Sequence, residues 1–208
     1  MRWDRFFEDL EDQLDSEWEA ERAALETESE RLRLSRVTLR ERLVALAAAG
    51  TARPAACELT DGGTLEGRVS RVGADWFALA ADPPGDGLRR AASRALWIVP
   101  LDAVRALTLP APDLLGSVRD AAPGDTLGQR MGLGFVLRDV ARRRVGVTVR
   151  VAGAAALHGT IDRAAADHFD LALHDIDQPR RAGAVTGFRV IPFAAIAAVG
   201  LAAPIALP

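Results

Sequence analysis

Short stretches of alternating apolar and polar residues run through most of the chain after residue 50. Ala55, Cys57 and Leu59 alternate with other residues, and the turn sequence Asp61-Gly62 follows them. A period of two is typical of strands that bury one face, and an Asp-Gly pair between two such stretches is typical of a hairpin. The pattern predicts five strands in this part of the chain, over 55–59, 65–72, 77–79, 96–100 and 103–109.

The same pattern recurs after 92 residues. Residues 65–71 (LEGRVSR) align with residues 157–163 (LHGTIDR), and the alignment then continues without a gap. Apolar, Gly, Asp and Pro positions stay in phase, as where Ile98-Val99-Pro100 meets 190–192 (VIP). Similarity at a fixed offset indicates a duplicated structural unit. We therefore predict two copies of one five-stranded module, over about 55–109 and 147–200.

Helical spacing of apolar residues precedes each module. Such a stretch runs from Ser35 to Ala48, and Gly50 follows it as a stop signal. A second amphipathic stretch runs from Thr126 to Arg144, although its glycines lower its helix propensity. Each stretch predicts a helix, and the proline-containing segment between the modules is predicted to be a linker.

Motifs in both modules resemble those of the Sm-like fold, a short helix followed by a strongly bent five-stranded barrel. In the first module they are Leu59-x-Asp61-Gly62-x-x-Leu65-x-Gly67-x-Val69 and Asp75-x-Phe77-x-Leu79. The second module keeps Leu157-x-Gly159-x-Ile161 and Asp167-x-Phe169-x-Leu171. A glycine inside a strand permits the bend that closes a small sheet. The resemblance implies an α+β fold in which an N-terminal long helix precedes two five-stranded Sm-like β-barrels, the second preceded by its own helix.

These expectations divide the chain into six parts. They are an acidic amphipathic helical arm (1–50), the first barrel (51–110), a linker (111–125), a connecting helix (126–145), the second barrel (146–200) and a tail (201–208). The chain has 26 Arg but no Lys, Asn or Tyr. Because those three residues need A/T-rich codons, the composition predicts a bacterium with a G+C-rich genome of the actinobacterial type.

Charge is unevenly distributed along the chain, although the net charge is only −3. Residues 1–30 hold twelve Asp and Glu against three Arg, whereas the other 178 residues hold 17 acids and 23 Arg. The acidic arm carries apolar residues at helical spacing, and we expect these to contact a protein partner: Trp3, Phe6, Phe7, Leu10 and Leu14. The alternative is that this tip folds back on a barrel or pairs with itself to bury its aromatic rings.

Arginines cluster at three other places. The loop after the third strand holds Arg89, Arg90 and Arg94 in the first copy and Arg180, Arg181 and Arg189 in the second. A third cluster ends the connecting helix at Arg138 and 142–144. Arginine binds phosphate oxygens well, so a basic surface for RNA or DNA is one interpretation. The alternative is that these charges favour the helix dipole and keep a small barrel soluble.

Catalytic or metal-binding patterns have little support. Cys57 aligns with Val149, which favours a buried packing role over a nucleophile. The first copy does not repeat a group of three histidines and three nearby aspartates that lies in the second copy. The residues of this group are His158, His168, His174, Asp167, Asp170 and Asp175. The sequence predicts no enzyme, no cofactor and no metal site.

No stretch of the chain has the length and apolarity of a membrane helix, the N-terminus does not resemble a secretory signal, and one Cys cannot form an internal disulfide. These features predict a cytoplasmic protein without a membrane partner. We expect a non-enzymatic interaction or assembly module that binds a protein partner or a second copy of itself. The alternative is an RNA- or DNA-binding regulator that uses the loop arginines.

Overall fold

The computed structural model describes residues 2–50, 53–81, 95–175, 180–203 and 205–207. Within these residues the chain forms four α-helices, which are α1 (Arg2–Ser35), α2 (Leu39–Ala49), α3 (Ala111–Arg119) and α4 (Leu133–Arg142). None of the helices in these ranges is both long and apolar enough to cross a membrane. The chain divides into two compact units, Met1–Thr38 and Leu39–Pro208, and the sheet belongs to the second.

Ten strands in the described ranges form a single antiparallel sheet. In chain order they are β1 (Ala55–Leu59), β2 (Thr64–Val72), β3 (Trp76–Ala81), β4 (Ala95–Pro100), β5 (Val104–Thr108), β6 (Gly146–Val151), β7 (Leu157–Ala164), β8 (His168–Leu173), β9 (Gly187–Pro192) and β10 (Ile196–Leu201). Across the sheet their order is β5-β1-β2-β3-β4-β10-β6-β7-β8-β9. The fold is therefore α+β, with one open sheet that has β5 and β9 at its edges.

The prediction of two closed five-stranded barrels is wrong, and so is the Sm-like fold that the resemblance implies. A closed barrel would need β4 to pair with β5 and β9 to pair with β10. Instead β4 pairs with β10, where Ile98 lies opposite Val199 and Leu96 opposite Leu201. This pairing occupies the free side of β4 and joins all ten strands into one sheet.

Strand boundaries and strand order recur in the two halves of the sheet. The strands β4 and β9 begin 92 residues apart, at Ala95 and Gly187. The order β5-β1-β2-β3-β4 in one half corresponds to β10-β6-β7-β8-β9 in the other. Counterpart positions 92 residues apart can therefore be compared directly.

Two apolar cores lie on opposite faces of the strands where the halves meet. Alternate residues of β3 and β4 enter different cores, so that Trp76 and Ile98 pack with α4 residues while Phe77 and Val99 pack with α2 residues. Because both faces of these central strands are covered, these four side chains are fully buried. The second half thus serves as the cover for one face of the first.

Helices α2 and α4 cover the sheet, and polar contacts attach both to distant segments. Helix α2 packs on β2 and α3, and its Arg40 donates hydrogen bonds to the carbonyls of Gly73, Pro123 and Gln129. The segment that the prolines mark as a linker contains α3. Helix α4 occupies only the last part of the stretch in which a helix is predicted from Thr126, since a short 3-10 turn and two glycines precede Leu133.

Helix α4 begins without a side-chain cap of its own, because its N-cap residue is Gly132. Asp75, in the turn between β2 and β3, supplies the cap from outside the helix: its Oδ1 accepts the backbone N–H of Leu133 at 2.7 Å. The indole of the next residue, Trp76, donates to the carbonyl of Met131 at 2.9 Å. The turn of the first half therefore fixes the start of the helix that covers the second.

Candidate functional site

The edge strand β9, which we call the β9 edge (Gly187–Pro192), exposes large apolar side chains. Phe188 is 64% exposed and Val190 is 67% exposed, whereas Ile191 on the opposite face is buried. In β9 the two exposed residues alternate with Arg189, so they share one face. An edge strand with unpaired backbone groups and apolar side chains is a template for pairing with another chain.

The counterpart strand β4 shows what covers this face in the first half. Phe188 corresponds to Leu96 and Val190 to Ile98, and Ile98 is 0% exposed. Ile98 packs with α4 residues in a core and lies opposite Val199 of the neighbouring strand β10, while β9 has no strand on its outer side within the described residues. The sequence thus has apolar residues at these positions of both β4 and β9, but among the described residues only those of β4 are covered.

The other open edge of the sheet is β5, the counterpart of β10. Leu107 and Leu109 are half-buried against the first core, while Ala106 and Thr108 point outward and are exposed. The sheet therefore ends in two unlike edges. One corresponds to β4 and the other to β10, the two strands that pair inside the chain.

An ion pair joins the first half of the sheet to the second. The guanidinium of Arg150 on β6 donates to Asp61 in the β1–β2 turn, from Nε to Oδ2 at 2.7 Å and from Nη2 to Oδ1 at 2.9 Å. Burial raises the pKa of Asp61, but hydrogen bonds from the Gly63 amide and from Arg150 outweigh it and hold this pKa below its usual range. Gly63 leaves the space that the guanidinium occupies, since a Cβ there would meet Nη2.

Six arginines gather near the C-terminal end of α4 and on the neighbouring β7. We call them the arginine cluster, and they are Arg138, Arg142, Arg143, Arg144, Arg163 and Arg180. In the part of the chain that the structure describes, three aspartates pair with them: Asp139 with Arg142 and Arg143, Asp162 with Arg144 and Arg180, and Asp170 with Arg163. Four of the arginines and Asp162 line a cavity of about 360 Å³. The cluster is a concave surface with more positive than negative charge.

Arg144 has an unusual backbone at the end of α4. Its φ is 56°, in the left-handed region where glycine is favoured. Its N–H and that of Val145 donate to the carbonyls of Ala141 and Val140, which closes the helix. An arginine at this place costs backbone free energy that a glycine would not, so its side chain is the feature that needs explanation.

Several of the sequence-predicted site residues lie outside the described part of the structure. Arg89, Arg90 and Arg94 lie in the undescribed range 82–94. The apolar residues predicted for the arm lie within α1, but their side chains are also outside the described part: Trp3, Phe6, Phe7, Leu10 and Leu14.

The loop arginines of the second half do not all lie together. Arg180 and Arg144 meet at the carboxylate of Asp162, which brings one loop arginine to the helix end. Arg181 and Arg189 are exposed, and Arg189 lies on the β9 edge. The fold adds Arg163, which sequence reasoning missed. Arg163 aligns with Arg71 at the 92-residue offset, but this alignment indicates only that the two residues have equivalent positions on their strands.

The cysteine and the histidines have ordinary structural surroundings. Cys57 is buried, and burial together with the charge of Glu58 raises the pKa of its thiol to about 11, which disfavours the nucleophilic thiolate. His168 contacts Asp167, and the buried His174 contacts Thr160.

Among the described residues, no three His, Cys, Asp or Glu side chains lie close enough together to hold a metal ion. His158, which the sequence places near the other two histidines, instead contacts Thr148 at 3.0 Å. Asp170 pairs with Arg163 and not with a histidine.

Comparisons of the chain with protein-family models, with curated proteins and with solved structures found no match. They therefore support neither the Sm-like resemblance nor the expected actinobacterial source.

Proposed function

We propose that the protein is a non-enzymatic assembly module whose copies associate through the open edges of the sheet. The observation that carries the proposal is the exposure of Phe188 and Val190 on the β9 edge, at positions whose counterparts on β4 pair with β10 and pack in a core. In the proposed assembly, β5 of a second copy pairs with β9 as β10 pairs with β4 inside the chain.

The internal pairing also supplies the register. Shifting the β4–β10 register by 92 residues places Leu107 of one copy opposite Val190 of the next, and Leu109 opposite Phe188. Both pairs are apolar, as the internal pairs Val199 with Ile98 and Leu201 with Leu96 are. Cross-strand apolar pairs of this kind stabilise antiparallel sheets.

Sedimentation velocity over a series of protein concentrations tests the proposal. We expect the unaltered chain to associate and the double variant Phe188→Lys with Val190→Lys to remain monomeric, because edge lysines oppose strand pairing. Losing two buried apolar contacts should raise the dissociation constant by about tenfold or more. A matched control is Leu115→Lys with Leu127→Lys, which replaces two similarly exposed leucines that lie on neither edge strand. A monomeric unaltered chain, or equal loss in both double variants, would contradict the proposal.

Cross-linking tests the register itself. A chain with Leu107→Cys and Val190→Cys should form disulfide-linked dimers and higher oligomers on mild oxidation, because residues opposite each other bring their Cβ atoms within reach of a disulfide. Moving the second cysteine by one residue, in Leu107→Cys with Arg189→Cys, turns it to the other face of β9. This variant should not form the disulfide-linked dimers and oligomers. Equal cross-linking of both variants would argue against the register.

The helical arm remains a second proposed contact surface. If the β9 edge carries self-association, a chain that lacks residues 1–30 should associate as strongly as the full chain in the same sedimentation experiment. If the deletion abolishes association while the lysine variants at the β9 edge do not, the arm and its apolar residues carry it instead.

A further inference from the structure

Beyond assembly, we infer that the arginine cluster binds the phosphate groups of a single-stranded nucleic acid. The site lies on α4 and β7 with Arg180 and does not include the β9 edge, so this inference is independent of the proposed assembly. The charge balance of the cluster, the shape of its surface and one exposed aromatic ring support this inference.

The charges of the cluster do not cancel. Among the described residues, the cluster has six arginines and three paired aspartates, which leaves three positive charges in excess. Asp162 is already held by two contacts from Arg180, at 2.6 and 2.7 Å, and its contact with Arg144 is longer, at 3.3 Å. Asp139 is shared by two arginines and cannot neutralise both.

The guanidinium groups are accessible to a ligand. The side chains of Arg142 and Arg163 are 77% and 81% exposed, although each contacts an aspartate. Together with Arg138 and Arg144 they surround the cavity of about 360 Å³. The planar fork of arginine matches the oxygens of a phosphate, and several forks around one concavity can hold successive phosphates.

The backbone of Arg144 gives a second reason to assign a ligand here. Glycine would close α4 with less strain, yet this position carries an arginine that lines the cavity. Strained backbone tends to occur where a side chain has a function.

A single strand of nucleic acid fits this concave surface better than the flat surface of an anionic lipid bilayer does. Phe135 is exposed on α4, three residues before Arg138 and seven before Arg142, so the ring and the two arginines share one helix face. An aromatic ring beside a basic cleft is the arrangement on which unpaired bases stack while phosphates contact arginine. A bilayer surface could not enter the concavity.

Fluorescence anisotropy with labelled oligo-dT and oligo-U of about 16 nucleotides tests the inference over a range of salt concentrations. We expect binding that weakens as salt rises, and each of Arg142→Gln and Arg163→Gln should reduce the slope of log affinity against log salt by about 0.7, the contribution of one phosphate. Phe135→Ala should weaken binding by about tenfold without changing this slope. These substitutions affect exposed side chains and should leave the fold intact.

The matched control is Arg119→Gln on α3, because Arg119 is 78% exposed, pairs with an aspartate and carries the same charge. It should leave the salt slope unchanged. The inference is overturned if the chain binds neither oligonucleotide at low salt, if Arg119→Gln has the same effect as the cluster variants, or if vesicles of anionic lipid bind where oligonucleotides do not. Because the lysine variants at the β9 edge keep the cluster, their binding of oligonucleotide separates this inference from the proposed assembly.

Discussion

At the scale of single residues, the contacts that hold the halves together involve residues far apart in sequence. The Asp61–Arg150 fork spans 89 positions, and both side chains are largely buried. No local pattern in the sequence connects these two residues, since their proximity depends on the pairing of β4 with β10. Sequence reasoning identified Asp61 only as a turn residue.

The Asp61–Arg150 ion pair predicts how the free energy of unfolding depends on pH. Because the pKa of Asp61 is lowered in the folded state, its contribution to stability is present above the pKa of an unfolded aspartate, about 3.9, and is lost as pH falls through the folded value. Asp61→Asn should lower the free energy of unfolding at pH 7 by about 1.5–3 kcal/mol, the usual range for a charged hydrogen bond. Urea unfolding followed by tryptophan fluorescence, to which the buried Trp76 contributes, measures this. The difference between the two proteins should shrink below pH 4, and a constant difference would contradict the assignment.

Close approach of backbone at Gly159 gives a second prediction. A Cβ at Gly159 would lie 2.0 Å from the carbonyl oxygen of Ala172, a backbone atom that cannot move without shifting β8. Gly159→Ala should therefore destabilise the fold by about 1–3 kcal/mol, the usual cost of overpacking. The control is Gly116→Ala on α3, where a Cβ would meet nothing and alanine should stabilise the helix by about 1 kcal/mol. Thermal unfolding of both variants should shift the midpoint in opposite directions.

At the scale of elements, local patterns located strands well and their partners poorly. Alternation placed one strand at 96–100, and the structure has β4 at Ala95–Pro100. Alternation reports which side chains face a core, but the hydrogen bonds along a strand edge are made by backbone and carry little sequence information. The alternation of apolar residues therefore could not predict that β4 pairs with β10, and the prediction of closed barrels was wrong.

Helix α4 shows how one element depends on another, and this can be measured. Asp75→Ala removes the cap from Leu133 and should cost about 1 kcal/mol of stability, within the usual range for an N-cap. The counterpart Asp167 is 87% exposed and contacts only its neighbour His168 among the hydrogen bonds of its side chain that the structure describes, so Asp167→Ala should change stability far less. Equal effects of the two substitutions in urea unfolding would show that Asp75 does not act as a cap.

At the scale of the whole molecule, two unlike edges imply that the proposed association has a direction. A copy with both edges free can extend in either direction, whereas a copy with one edge blocked can only end a series. A symmetric contact of β9 with β9 would behave differently, because blocking β5 would then have no effect.

Mixing two blocked variants distinguishes these arrangements. Phe188→Lys with Val190→Lys blocks β9, and Ala106→Lys with Thr108→Lys blocks β5 through two exposed residues. Each double variant alone should be monomeric, and an equimolar mixture should form dimers that contain one chain of each and grow no further. Light scattering coupled to size-exclusion chromatography gives the masses. Dimers in the β5-blocked variant alone would instead indicate the symmetric contact.

The position of β10 in chain order has a consequence for synthesis. Because β10 follows the other nine strands, the outer side of β4 stays without its partner until residues 196–201 have left the ribosome. Until then Ile98 and its neighbours form an apolar strand edge on a nascent chain, which is the kind of surface that aggregates or recruits chaperones. Premature termination before β10 should therefore yield an insoluble product, even though the truncated chain would retain every strand of the first half.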